Sequence, residues 1–148
     1  MRIVRHTAIV AAPAAQIFST LEDPRAADRV NPEFLRTHVE ASPWLPRVGE
    51  RTRLALTFRG ARYALETEIV EYRRGFFLLQ RQTTGPFATF EHALSLEEQA
   101  DGSQVTEVLA YTVRLGILGR AFDRLALRAD LQHVLVHRAR RLAELWTA

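Results

Sequence analysis

The sequence predicts an α+β fold, one curved antiparallel sheet of about seven strands around a long C-terminal helix, and three observations carry that expectation. From Phe34 onward apolar and polar residues alternate in runs divided by short turns, the pattern of a meander of neighbouring strands. From Leu118 to Trp146 the period becomes helical and no proline interrupts it. Between the first strand and the meander, Pro13, Pro24 and Pro32 punctuate a stretch with room only for two small helices.

Taken in order, residues 3 to 11 alternate and carry Ile3, Val4, Ile9 and Val10, which reads as a strand that Ala12-Pro13 ends. Pro13 suits the first turn of a helix, where its missing N–H leaves nothing unsatisfied, and Ala14, Ile17, Phe18 and Leu21 supply the apolar stripe. Asp23-Pro24 breaks that helix and starts a second over 25–30, which Asn31-Pro32 ends. Strands follow at 34–42, 50–59, 62–72, 76–84, 87–98 and 104–114, with turn signals at Pro43 to Gly49, Arg59-Gly60, Arg73-Arg74-Gly75, Gly85-Pro86 and Asp101-Gly102. In the closing helix Leu118, Phe122, Leu125, Ala129, Val136 and Ala143 form one stripe expected to face the core. Past Asp130 a second apolar set, Leu131, Leu135, Ala139, Leu142 and Trp146, lies about a third of a turn round, so the helix is expected to roll or bend as it crosses its partner, and Asp123, Asp130, His133, His137 and Glu144 share the solvated side. No repeat, low-complexity stretch or linker divides the chain, so a single domain over residues 1–148 is expected.

A chain of 148 residues is large enough to bury most of its apolar surface without disulfides or metal staples. It has no cysteine, which excludes a disulfide frame, a thiolate nucleophile and a cysteine-ligated metal. Nowhere do eighteen apolar residues run together, and Met1 to Arg5 leads into alternation instead of an apolar segment, so a cytoplasmic protein with no membrane span is expected. All twenty basic residues are arginine, scattered and interleaved with acids, which reads as codon bias. A nucleic-acid surface would concentrate them with stacking aromatics, and no nucleic-acid partner is expected. The nearest approach to a cluster is Arg120, Arg124 and Arg128, with Arg138, Arg140 and Arg141 later, and it reads as a solvated edge whose long stems cover apolar neighbours.

The opening AIVAAPAAQIFSTLEDPRAADRVNP, Gly49 before the third strand, TGPFATFEH at the sixth and the closing LGILGRAFDRLALRADLQHVLVHRARRL resemble the polyketide cyclase/dehydrase branch of the START-like (SRPBCC) superfamily over the whole chain. The resemblance implies the helix-grip fold, a curved sheet wrapped round the long helix with a cavity between them, on the order of 300–1,000 Å³ if open. It does not choose among the binders, carriers, cyclases and adaptors that share this scaffold.

Strict alternation turns Leu54, Leu56 and Phe58 inward on the third strand, and Tyr63, Leu65, Thr67 and Ile69 on the fourth. It does the same for Leu78, Gln80 and Gln82, for Phe90, His92, Leu94 and Leu96, and for Val105, Glu107, Leu109, Tyr111 and Val113. Phe122 and Leu125 of the closing helix join them as ligand-binding candidates. His92, Glu107 and Tyr111 are the catalytic candidates: a carboxylate against an imidazole in a dry site holds its tautomer and poises it for acid–base work on an enolisable carbonyl. The same residues equally satisfy one another inside a cavity that only binds.

Other motifs carry less. His133 and His137 have the i, i+4 spacing of two zinc ligands, but VLV between them lacks the glutamate of HExxH and the pair falls on the solvated side, so no metal and no cofactor is expected. No serine sits in a Gly-x-Ser-x-Gly elbow, and Gly116 and Gly119 are spaced for a turn, not for a nucleotide. Trp44 and Leu45, within Ala41 to Val48, are expected to make an apolar gate at the cavity mouth with Phe87, Ile117 and Leu118, unless Trp44 packs on the sheet edge instead. Three functions stay open: binding of a small hydrophobic molecule such as a lipid, quinone or polyketide, cyclase or dehydratase chemistry through His92 and Glu107, and an adaptor with a collapsed cavity and a protein partner.

Overall fold

The computed structural model describes residues 1–42, 46–114 and 124–146, without the side chains of Arg124 and Leu125. Its elements follow as β1 (Arg2–Val10), α1 (Ala14–Leu21), a 3-10 turn (Pro24–Ala26), α2 (Ala27–Val30), β2 (Leu35–Ala41), β3 (Arg51–Phe58), β4 (Ala61–Arg73), β5 (Phe77–Thr84), β6 (Thr89–Gln99), β7 (Gly102–Thr112) and α3 (Arg124–Leu145). The strands form one antiparallel sheet in the order β1-β7-β6-β5-β4-β3-β2. Six strands are therefore a plain meander, and β1 crosses to the far edge to pair with β7.

Local chemistry places each turn. Arg59 (φ 47°) and Gly60 (φ 84°) form a two-residue link between the paired Phe58 and Ala61, and such a link with two positive φ values matches the twist of the flanking strands. Gly102 starts β7 so close to β1 that a Cβ there would stand 2.2 Å from the Val10 carbonyl oxygen. Asp23 accepts from the Arg25 amide at 2.9 Å, capping the 3-10 turn that Pro24 opens.

The pairing of β4 with β5 is irregular between Glu66 and Thr67 and between Ile69 and Glu71, and such irregularities locally bend and twist a strand. The second also shifts the alternation: Ile69 and then Tyr72 both face inward, Tyr72 packing on Phe18 at 5.9 Å between ring centroids. Both outer strands are held by side chains from helices. Gln132 of α3 donates to the Arg5 carbonyl of β1 at 3.1 Å, and Asp28 of α2 accepts from the Thr37 amide of β2 at 2.8 Å.

α3, about 33 Å long at 22 residues, buries the second of its two expected apolar sets and turns much of the first outward. Its buried stripe is Leu127, Leu131, Val134, Leu135, Arg138 and Leu142, whereas Ala129 and Val136 are exposed and Ala143 half-buried. Of two apolar stripes competing for the sheet, the one carrying leucines gains more from burial than the one carrying alanines, and the helix rotates to suit it. Leu118 and Phe122, the start of the expected stripe, lie outside the described residues.

Candidate functional site

Two apolar clusters fill the space between sheet and helices. At one end Ile17 and Phe18 of α1 and Val30 of α2 pack on Ile69, Leu78, Leu94, Leu96, Val105 and Leu142. At the other, Val4, Phe58, Phe87, Leu109 and Tyr111 meet Leu127, Leu131 and Leu135 of α3. This second end is not filled. It holds a cavity of about 210 Å³ walled by Leu54, Leu56 and Phe58 of β3, Tyr63, Leu65 and Thr67 of β4, Gln80 of β5, Phe90 and His92 of β6, and Glu107 and Leu109 of β7. The volume falls below the expected 300–1,000 Å³, because α1 closes one end of the groove and Phe87 stacks on Phe90 (5.0 Å) at the other.

A charged group crosses the apolar space between the clusters. Glu107 is 4% exposed, and its carboxylate accepts from His92 Nε2 at 2.7 Å and from Arg138 Nε at 3.0 and 3.2 Å. The Arg138 Nη1 reaches the Asn31 side-chain oxygen at 2.8 Å, tying the group to the end of α2. His92 and Glu107 are brought together by register: His92 faces Leu109 across the β6–β7 ladder, so Glu107, two residues away, is its diagonal neighbour on the same face. His6 of β1 stands opposite Glu107 on that face too. Burial by itself pushes the Glu107 carboxyl upward, but the Arg138 guanidinium and then the His92 hydrogen bond overcome it and hold the group at about 2, below its ordinary 4.5. Glu107 is thus a fixed anion. With Nε2–H donating to it, His92 keeps the other ring nitrogen without a protein partner among the described residues.

Arg138 is the residue that sequence reasoning misplaces, on a solvated edge with Arg140 and Arg141; it is 9% exposed and lines the cavity. A signal was available, because Arg138 lies seven residues after Leu131 and four before Leu142, on the stripe that α3 buries. A buried guanidinium requires a carboxylate, and Glu107 is the one that alternation turns inward. Asn31, read only as a helix stop, and Tyr72, displaced by the irregular pairing, are missed as well.

Several expected wall residues sit elsewhere. Leu94 belongs to the closed cluster, and Leu78 borders a second hollow of about 460 Å³ between α1, the 3-10 turn and β3–β5. Gln82 does not face the cavity; its amide holds the Phe87 backbone, donating to the carbonyl at 2.9 Å and accepting from the N–H at 3.3 Å. Tyr111 is fully buried behind Phe87 at 5.7 Å and does not join His92 and Glu107, because four strand residues separate it from Glu107, about 13 Å. Its hydroxyl has no hydrogen-bond partner, alone among buried side-chain polar atoms of the described residues, and burial raises its pKa against the pull of Arg2 and Arg128. Phe87 lines the cavity, while Trp44, Leu45, Ile117, Leu118 and Phe122 and the Leu125 side chain lie outside the described residues. His137 Nδ1 bonds the Val30 carbonyl at 2.9 Å, and His133 packs edge-on against Phe34.

A seven-stranded curled sheet gripping a C-terminal helix, with short helices after the first strand and a cavity beneath, is the helix-grip fold of START-like proteins. The chain belongs to the family described as polyketide cyclase / dehydrase and lipid transport, whose model matches residues 1–146. Solved structures with the same fold include a protein of Thermus thermophilus (16% identity, TM-score 0.73, covering 99% of this chain and 100% of that one). A START superfamily protein of Mycobacterium smegmatis matches at 21% identity and TM-score 0.72, over 97% and 95% of the two chains. The Zhui aromatase/cyclase of Streptomyces sp. R1128 matches at 18% and 0.70, over 97% and 92%. No curated protein matches the chain by sequence. Among the described residues no helix is long and apolar enough to cross a membrane.

Proposed function

We propose that residues 1–148 form one ligand-binding domain that takes a small apolar or aromatic molecule into the cavity between sheet and α3. The observation that carries this reading is an apolar space of about 210 Å³ crossed by the His92–Glu107–Arg138 group. A cavity of about 150 Å³ accommodates a benzene ring, so this one suits a compact body of one or two rings, a quinone or a cyclised polyketide fragment, better than a long acyl chain. The open volume argues against the adaptor with a collapsed cavity. Membership of a family described by polyketide cyclisation and lipid transport supports the same ligand class.

The second reading, a cyclase or dehydratase, rests on the 2.7 Å contact of His92 with Glu107. Glu107, held near 2, carries no proton at neutral pH, so proton transfer would fall to His92 alone, with Glu107 orienting the ring. Native mass spectrometry of protein purified from its own host, followed by fluorescence titration with one- and two-ring compounds, tests the first reading. One ligand per chain is expected, and the absence of any saturable binding refutes it. Turnover of an enolisable aromatic ketone that falls by about 10²–10⁴ in His92→Phe while affinity persists would make the second reading the right one.

A further inference from the structure

On the inner face the polar side chains form a band that crosses five adjacent strands: Glu107 on β7, His92 on β6, Gln80 on β5, Thr67 on β4 and Thr52 on β3. The ladder makes neighbours of Gln80 and His92, which are directly paired, and of Thr52 and Thr67, which are directly paired. The two halves of the band differ. Glu107 and His92 are bonded to each other and to Arg138, whereas the side chains of Thr52, Thr67 and Gln80 have no hydrogen-bond partner among the described residues. Thr52 and Thr67 are only 5% and 6% exposed, yet their hydroxyls are not sealed off as the Tyr111 hydroxyl is, and all three residues line the cavity. A buried hydroxyl or amide without a partner costs stability unless water or a ligand completes it.

We propose that Thr52, Thr67 and Gln80 form a neutral hydrogen-bonding subsite that selects an uncharged, oxygen-bearing ring compound, a phenol or ring ketone, over a plain hydrocarbon or a carboxylate. This rests on the cavity being a ligand site. Two hydroxyls and an amide donate and accept without a net charge, so they match a hydroxyl or carbonyl oxygen. An anion finds no unpaired cation here, because the Arg138 charge is balanced by Glu107. Thr52 and Gln80 also border the hollow beside α1, so a substituent on the bound ring has a way toward it.

The test compares three probes of one shape, naphthalene, 2-naphthol and 2-naphthoate, on the intact chain and on Thr52→Val/Thr67→Val, which removes both hydroxyls at nearly constant volume. Wild type should bind 2-naphthol about five- to tenfold more tightly than naphthalene, and the double variant should erase that preference while naphthalene affinity stays level or improves. Its melting temperature should hold or rise, since the hydroxyls have no protein partner to lose. Equal affinity for naphthol and naphthalene in wild type, a preference for naphthoate, or equal losses for both neutral probes in the variant would each overturn the subsite and leave the cavity standing. Failure of all three probes to bind wild type would overturn the cavity reading itself, and the subsite with it.

Discussion

Replacing Arg138 by Met tests whether the buried charge group is a matched pair. Glu107 is 4% exposed and takes two contacts from Arg138 Nε, at 3.0 and 3.2 Å. Removing the guanidinium leaves a buried carboxylate with His92 as its remaining bonded partner, and breaking such a pair from one side costs about 3–5 kcal/mol. At about 2–4 °C per kcal/mol for a chain of this size, the melting temperature should fall by roughly 6–20 °C. Glu107→Leu/Arg138→Met removes both charges and should recover most of that loss.

The pH dependence carries a sign. The folded Glu107 pKa lies below its unfolded value, so its contribution is complete above about 4.5 and is lost as pH falls toward 2. A shift from 4.5 to about 2 corresponds to about 3 kcal/mol. In Arg138→Met/His92→Phe burial alone acts on the carboxyl and raises it, so acidification should now restore stability instead of removing it, with His6 unchanged throughout. Urea unfolding between pH 3 and 8 reads both effects. A loss under about 1 kcal/mol in Arg138→Met, or a double charge deletion as unstable as the single one, would refute the pairing argument.

Two further outcomes follow from where expected wall residues come to rest. Tyr111→Phe removes a hydroxyl that is buried and unpartnered, so thermal melting should show unchanged or higher stability, and a loss above about 1 kcal/mol would reveal a partner for that oxygen. Thr67→Trp and Leu94→Trp should part company: the first fills open cavity and abolishes ligand binding with little loss of stability, while the second overpacks the closed cluster and costs about 1–3 kcal/mol in a denaturant titration.

Strand alternation made much of the site legible. His92, Glu107, Gln80 and Thr67 share the inner face because a strand permits only two faces, and the ladder through those positions runs without a slip on β6 and β7. Where the pairing shifts, as between Ile69 and Glu71, alternation stopped predicting and Tyr72 was lost. The helix was harder for a different reason. Its two apolar stripes differ by about a third of a turn, and the choice between them depends on burial totals across the whole interface, so Ala129 and Val136 were expected inside and Arg138 outside. Cavity volume is less local still, since it depends on where the end of α1 and the turn after it bring Leu21, Glu22 and Pro24 against the sheet.

The division of the interior has a mechanical consequence along α3. Leu142 is clamped among residues of the filled cluster, Arg138 is pinned to the sheet through Glu107, and Leu127, Leu131 and Leu135 face empty volume. Detaching the first turns of the helix from the sheet therefore forfeits fewer dispersion contacts than detaching its last turns. Polar ties make up the difference toward Arg124: Gln132 donates to the Arg5 carbonyl at one edge of the sheet, and Asp130 takes the Arg59 guanidinium from the turn between β3 and β4, so the helix is fastened by apolar packing at Leu142, by a buried ion pair at Arg138 and by more exposed polar contacts beside the cavity.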